Sequence, residues 1–225
     1  MPNDDDLPEW ERVLSAAARL QQILPEAVLV GGTAAAVHAR HRLSRDADHV
    51  LTDLRERFDR VLAELESVAG WQTARVRRPV LILGSLDGIE TGIRQLIREA
   101  PLDVEKMAIG PQIVQVPTAA EMLRIKAALI LKRNATRDYI DFVALADRLG
   151  PERSREAMSV LDDLYPQPNG ESALQQLQAQ LANPLPYDLA ETDLSQYKHL
   201  ELRWHDWTAV RSTLAAIAVS LLDQL

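Results

Sequence analysis

A chain of 225 residues, 47% hydrophobic and 26% charged, has the composition of a folded protein with room for one large domain or two small ones. It contains no cysteine, which excludes disulfides, thiolate metal sites and cysteine nucleophiles. The formal net charge of −8 argues against non-specific coating of nucleic acid but leaves room for local basic patches.

The opening "MPNDDDLPEW" is acidic and lacks the apolar stretch of a secretory signal, and no apolar run approaches the ~18 residues of a membrane span. A cytoplasmic location without membrane contact is therefore expected. "LPEWERVLSAAARLQQIL" then places Trp10, Val13, Leu14, Ala17, Leu20 and Ile23 along one helical face, with Pro25 as its stop. "AVLVGG" reads as a short buried strand closed by glycine, "TAAAVHARH" as a helix and "DHVLTD" as a second strand. "RERFDRVLAELESVAG" has strong helical periodicity, with Gly70 as the expected C-cap.

From Trp71 to Pro117 the character changes. "WQTARV", "PVLILG", "GIETGIRQLI", "PLDVEKM" and "QIVQV" are strand-like pieces, and Asp87 with Gly88 forms a hairpin-turn dipeptide. Beyond Thr118 the pattern is helical, interrupted by "PQPNG" and "NPLPYD". The expected class is α+β, a mixed sheet with flanking helices followed by a C-terminal helical region. Residues 1–117 and 118–225 are the expected domains, because Pro117 favours an extended predecessor and Thr118 is a good N-cap.

Three groups of residues point to chemistry. A strand ending in Gly31 and Gly32, with Thr33 opening a helix, offers backbone N–H groups suited to phosphate oxygens, although such a pair also suits any tight turn. Asp46 and Asp48 sit two apart in a strand-like segment and so share a face. Two like charges there repel unless a cation lies between them, and Mg²⁺ is typically held by one or two carboxylates plus substrate phosphates. A solvent-facing strand edge is the plainer alternative. The run His38, Arg40, His41, Arg42 and Arg45 precedes the aspartates, and Arg75, Arg77 and Arg78 form a smaller basic cluster. In the third group, Lys126 shares an apolar helical stripe with Met122, Ile125, Leu129 and Arg133, so it needs an anionic partner. Asp138 and Asp141 open the next helix on its inward face, and a structural Lys126–Asp138 bridge competes with a shared polar site.

"GGTAAAVHARHRLSRDADHV" resembles the first motif of nucleotidyltransferase-fold proteins of the AbiEii/AbiGii toxin type. Gly31, Gly32, Thr33, Arg42, Ser44, Asp46 and Asp48 fill its Gly-Gly-Ser/Thr and Arg-x-Ser/Thr-x-Asp-x-Asp positions. "KAALILKRNATRDYIDFVAL" is similar to the family's later motif, with Lys126, Arg133, Arg137, Asp138 and Asp141 in place. The resemblance covers roughly residues 10–150. It implies a nucleotidyltransferase-like sheet in which Asp46 and Asp48 hold Mg²⁺. The helical domain would supply Lys126 and Asp138 to the cleft as further catalytic residues. Gly31, Gly32, Thr33, Arg42, Ser44, Arg137 and Asp141 would bind the nucleotide. The implied reaction moves a nucleotide from an NTP to an acceptor such as an RNA end, tRNA-like, as the toxin of a type IV toxin–antitoxin system with a cognate antitoxin.

Two departures stand out. His49 replaces the usual apolar residue after the second aspartate, and Glu90 is the best local candidate for a third carboxylate. The competing class is a degenerate module that keeps the fold and binds nucleotide, RNA or a partner protein. A small-molecule nucleotidyltransferase of the antibiotic-modifying kind shares the first motif but not "RNATRDYIDF".

Overall fold

The computed structural model describes residues 7–168 and 170–221. They fall into two compact units, residues 7–34 with 44–118, and residues 35–43 with 119–221. The segment 35–43, which precedes the aspartates in sequence, belongs with the helical second unit.

The first unit opens with α1 (Leu7–Ile23), followed by β1 (Val28–Leu29), the start of α2 (Gly31–Ala39) and β2 (Ala47–Leu51). Next come α3 (Leu54–Glu66), β3 (Trp71–Arg77), β4 (Leu81–Leu86) and β5 (Ile89–Gln95). The sheet order is β1-β2-β5-β4-β3, with β2 and β5 parallel and the other pairs antiparallel. A parallel pair needs a crossover, and here α3 with the β3–β4 hairpin supplies it. The β4–β5 turn has Asp87 at φ 53° and Gly88 at φ 79°, the two left-handed residues of a tight hairpin.

Helix α3 buries Leu54, Phe58, Val61 and Leu65, the stripe its periodicity predicts. It ends at Ser67 rather than at Gly70, whose φ of +88° belongs to the turn into β3. Ser67 caps the helix by donating its N–H to Ala63, so the expected glycine cap falls three residues late. These side chains meet Leu20, Leu24, Leu51, Trp71, Ile82, Leu86 and Ile93 in one core. Each fully buried Leu or Ile contributes roughly 1.5–3 kcal/mol relative to exposure. That core occupies one face of the sheet and leaves the other for the aspartates. β6 (Val104–Ile109) and β7 (Gln112–Pro117) form a separate ribbon, with β7 against α1.

The second unit contains α4 (Ala119–Arg133), α5 (Thr136–Leu149), α6 (Pro151–Met158), α7 (Leu161–Leu164), α8 (Ala173–Ala182) and α9 (Trp207–Ser220). Sequence periodicity gives α4 a single buried stripe; instead it buries Glu121, Met122, Leu123, Arg124, Lys126, Ala127 and Ile130. The reason is position, since α4 packs against α5, α6 and α8 at once. Asn134, at φ 47°, turns the chain between α4 and α5 and accepts a 2.6 Å bond from the Tyr139 hydroxyl. The Tyr139 ring meets Trp207 of α9 edge-to-face at 6.1 Å.

Candidate active site

Strand β2 alternates as its sequence requires. Ala47, His49 and Leu51 are buried toward the core, while Asp48 and Val50 are half-buried on the other face. Asp46 lies just ahead of the strand rather than within it. Its carboxylate accepts the Ser44 hydroxyl at 2.6 Å, and its backbone carbonyl accepts the Thr33 hydroxyl. Thr33 thus ties the first turn of α2 to the aspartate segment, and any phosphate grip at this turn falls to backbone N–H groups. Val30 donates its N–H to the Asp48 carbonyl at 2.8 Å, fixing the turn beside β2.

Two glycines frame Asp48. Gly31 adopts φ +75°, a conformation costly for other residues, and its Cα faces the Asp48 side chain. Gly92 on β5 pairs with Asp48, and a Cβ there would come within 3.0 Å of Oδ1 and 2.6 Å of Leu83. The absent side chain makes room for the carboxylate.

Register extends this face across the sheet, because directly opposed residues share a face. Asp48, Gly92, Leu83 and Arg75 form one rung; Val50, Arg94, Leu81 and Arg77 form the next. Glu90, Ser85 and Gln72 form a third, on the Asp46 side. A bulge between Thr73 and Arg75 sets the parity of β3 and so puts the arginines on this face. The floor of a cavity of about 500 Å³ is built here, lined among others by Asp46, Asp48, Gln72, Glu90, Thr91 and Arg94. Arg94 Nη2 stands 3.9 Å from Asp48 Oδ1.

The donor set fits a hard divalent cation. Two carboxylates line one open cavity, and Gly92 leaves space beside one of them. Among the described residues no group of three His, Cys, Asp or Glu side chains converges as a closed metal cage. A cation held here would take its remaining ligands from water and substrate, the usual way Mg²⁺ is bound with phosphates.

The second unit holds a different assembly. Arg42 grips Asp141 in bidentate fashion, Nε to Oδ1 at 2.7 Å and Nη2 to Oδ2 at 3.0 Å. Lys126 Nζ reaches Asp141 Oδ2 at 2.7 Å and Asp138 Oδ1 at 3.4 Å. Arg133 makes a two-point contact with Asp138, and His41 donates Nε2–H to Asp141 at 2.8 Å. Asp138, Asp141 and His41 are wholly buried and Lys126 is 1% exposed. Burial alone would raise the Asp141 carboxyl, but Arg42 and Lys126 beside it, with the His41 bond, hold it well below the usual range. Burial pushes His41 down against the pull of Asp141. In β2, burial likewise pushes His49 down to about 4, although its Nδ1–H donates to the Ala47 carbonyl.

The expected site residues therefore separate into two sets. Gly31, Gly32, Thr33, Ser44, Asp46 and Asp48 come together in the first unit. Arg42, Lys126, Asp138 and Asp141 come together in the second, joined by Arg133 and His41, while Arg137 is exposed. Lys126, expected to face nucleotide phosphates, has its ammonium committed to two carboxylates. The basic run at residues 38–45 is not a continuous outer patch: His41 and Arg42 are buried, and exposed Arg45 approaches Glu9 at 3.5 Å. Arg94 and Gln72 were not visible as site residues, since only strand register brings them to the aspartates.

A parallel β2–β5 pair carrying a Gly-Gly turn and two aspartates over a cavity is the nucleotidyltransferase type of α+β fold. Solved structures share it. A Helicobacter pylori protein assigned as a nucleotidyltransferase matches with TM-score 0.58 at 13% identity, over 99% of this chain and 97% of its own. The antibiotic-resistance factor ANT(2'')-Ia matches with TM-score 0.50 at 14% identity, over 72% of this chain and 94% of its own. The family model described as nucleotidyl transferase AbiEii toxin, Type IV TA system, matches residues 12–212, and the chain belongs to that nucleotidyltransferase family. A curated relative, the heme uptake protein MmpL11 of Mycobacterium tuberculosis, is 33% identical over 131 residues, 56% of this chain. The chain spans 13% of that relative's length. No helix among the described residues is long and apolar enough to cross a membrane.

Proposed function

We propose that the protein is an Mg²⁺-dependent enzyme that transfers a nucleotide from an NTP to an RNA end, acting as the toxin of a type IV toxin–antitoxin pair with a cognate antitoxin. The observation that carries the reading is the half-buried Asp46 and Asp48 pair, set over one cavity with Glu90 on the neighbouring strand. Asp46 and Asp48 would hold the metal, and the turn at Gly31 and Gly32 would meet the phosphates with its backbone amides. Bound there, Mg²⁺ would offset the charge of the triphosphate and polarise the α-phosphate. The acceptor hydroxyl oxygen then bonds to the α-phosphorus, the α–β bridge breaks, and pyrophosphate leaves. Glu90, an exposed carboxylate lining the same cavity, would accept the hydroxyl proton.

Arg42, Lys126, Asp138 and Asp141 enter this reading as a positioning network that fixes the segment leading to Ser44. The acceptor strand approaches along Arg75 and Arg77, exposed arginines on the cavity face that have no ion-pair partner among the described residues. Incubation with each labelled NTP, Mg²⁺ and total RNA tests the whole reading. Label should enter RNA with Mg²⁺, vanish with EDTA, and fall at least ~10³-fold in Asp48→Asn, about 4 kcal/mol of transition-state stabilisation. NTP binding without transfer would instead identify a degenerate binding module.

A further inference from the structure

Arg94 sits on β5 one rung beyond Gly92, diagonal to Asp48 on the same sheet face. Its Nη2 lies 3.9 Å from Asp48 Oδ1, beyond hydrogen-bond reach but within strong Coulomb range. The side chain is 47% exposed and that of Asp48 26%, so the guanidinium is not locked in place. It also lines the cavity that holds both aspartates and Glu90. In the free protein its charge partly offsets the repulsion between Asp46 and Asp48. Once those carboxylates hold a divalent cation, Arg94 faces a like charge instead. The phosphates of a nucleotide then become its natural partner, since a guanidinium fork matches phosphate oxygens in pairs.

We propose that Arg94 is an exchangeable counter-ion, paired with Asp48 in the free protein and a phosphate ligand of the bound nucleoside triphosphate. The inference rests on reading Asp46 and Asp48 as the metal–nucleotide site. It makes an unusual demand, because removing one cation should move two affinities in opposite directions. A merely structural arginine would move both the same way or neither.

The test compares wild type, Arg94→Gln and Arg94→Lys, after thermal melting has established that all three fold alike. Mn²⁺ alone is titrated by electron paramagnetic resonance of the free ion. A non-hydrolysable NTP analogue with Mg²⁺ is titrated by calorimetry. Arg94→Gln should bind Mn²⁺ on the order of tenfold more tightly and the metal–nucleotide on the order of tenfold more weakly. Arg94→Lys should stay near wild type for Mn²⁺ and fall between the two for nucleotide. Mn²⁺ binding by wild type that Arg94→Gln leaves unchanged, or both affinities moving together, overturns the counter-ion role alone. A wild-type protein that binds no Mn²⁺ overturns the metal reading of the aspartates, and the role of Arg94 with it.

Discussion

Asp46 with Asp48 and Asp138 with Asp141 are two pairs of neighbouring aspartates that the fold treats in opposite ways. The second pair is wholly buried, and Arg42, Lys126, Arg133 and His41 all bond to it. The first pair is half-buried and faces a cavity, with Ser44 on Asp46 and the Arg94 guanidinium 3.9 Å from Asp48. A saturated buried pair is a fastener: each charge has surrendered water for a fixed protein partner, and losing one partner strands another. An acidic pair facing a cavity keeps coordination capacity for something that arrives from solution. Residue type therefore says little about role; the number and distance of counter-charges says much more.

The contrast breaks most readily at Lys126. Lys126→Ala should cost ~3–5 kcal/mol, read from urea or thermal unfolding, because it leaves Asp138 and Asp141 short of a buried cation. Asp48→Asn should change stability by less than about 1 kcal/mol, as expected for a part-exposed carboxylate beside a part-exposed arginine. An unchanged melting curve for Lys126→Ala, with transfer abolished, would return the lysine to the nucleotide and erase the distinction between the pairs.

The next effect in size is a pH dependence. His49 has its folded pKa pushed down to about 4 against about 6.5 unfolded, so between those values the unfolded chain binds a proton that the native one refuses. Stability should therefore fall as pH drops from about 6.5 to about 4, by roughly 3 kcal/mol for this group. His41, lowered in the same direction, adds to the loss. Asp141 has the opposite ionic character: its depressed pKa keeps its contribution intact above the ordinary carboxylate range, and that contribution goes only as pH falls through the folded value. Equilibrium unfolding of His49→Leu across this window should be markedly flatter than that of wild type. Parallel curves would mean that the buried ring is not what makes the fold acid-sensitive.

The smallest effect concerns the outer edge of the cavity face. Arg75→Gln with Arg77→Gln should reduce the salt dependence of RNA binding by ~0.7 per lost phosphate contact, with metal-dependent NTP binding intact. Exposed charges on an edge strand also serve simply to discourage strand pairing. If the double variant keeps the wild-type salt slope, that protective role is the one they have, and exposed Arg40 becomes the next residue to replace.

Much of this was legible in the sequence because the signals were local. The alternation of β2 and the α3 stripe at Leu54, Phe58, Val61 and Leu65 follow from the fixed periods of strand and helix. The turn at Asp87 and Gly88 follows from the left-handed conformations that few other residues accept. The spacing of Asp46 and Asp48 suggests a shared side of the chain, and both line one cavity. Other features depended on partners distant in sequence. Whether Arg75 or Ala74 pairs with Leu83 hangs on one bulge, which switches the parity of β3 and leaves no mark in composition. Arg94 and Glu90 reach the aspartates only because β5 pairs with β2 in parallel at one register. Arg42 sits two residues from Ser44 in the same motif, yet its partner is Asp141, 99 positions away. Sequence by itself determined which residues carry charge and which local geometry holds them; only the tertiary structure decided which charges meet, because Coulomb attraction and burial act through space and not along the chain.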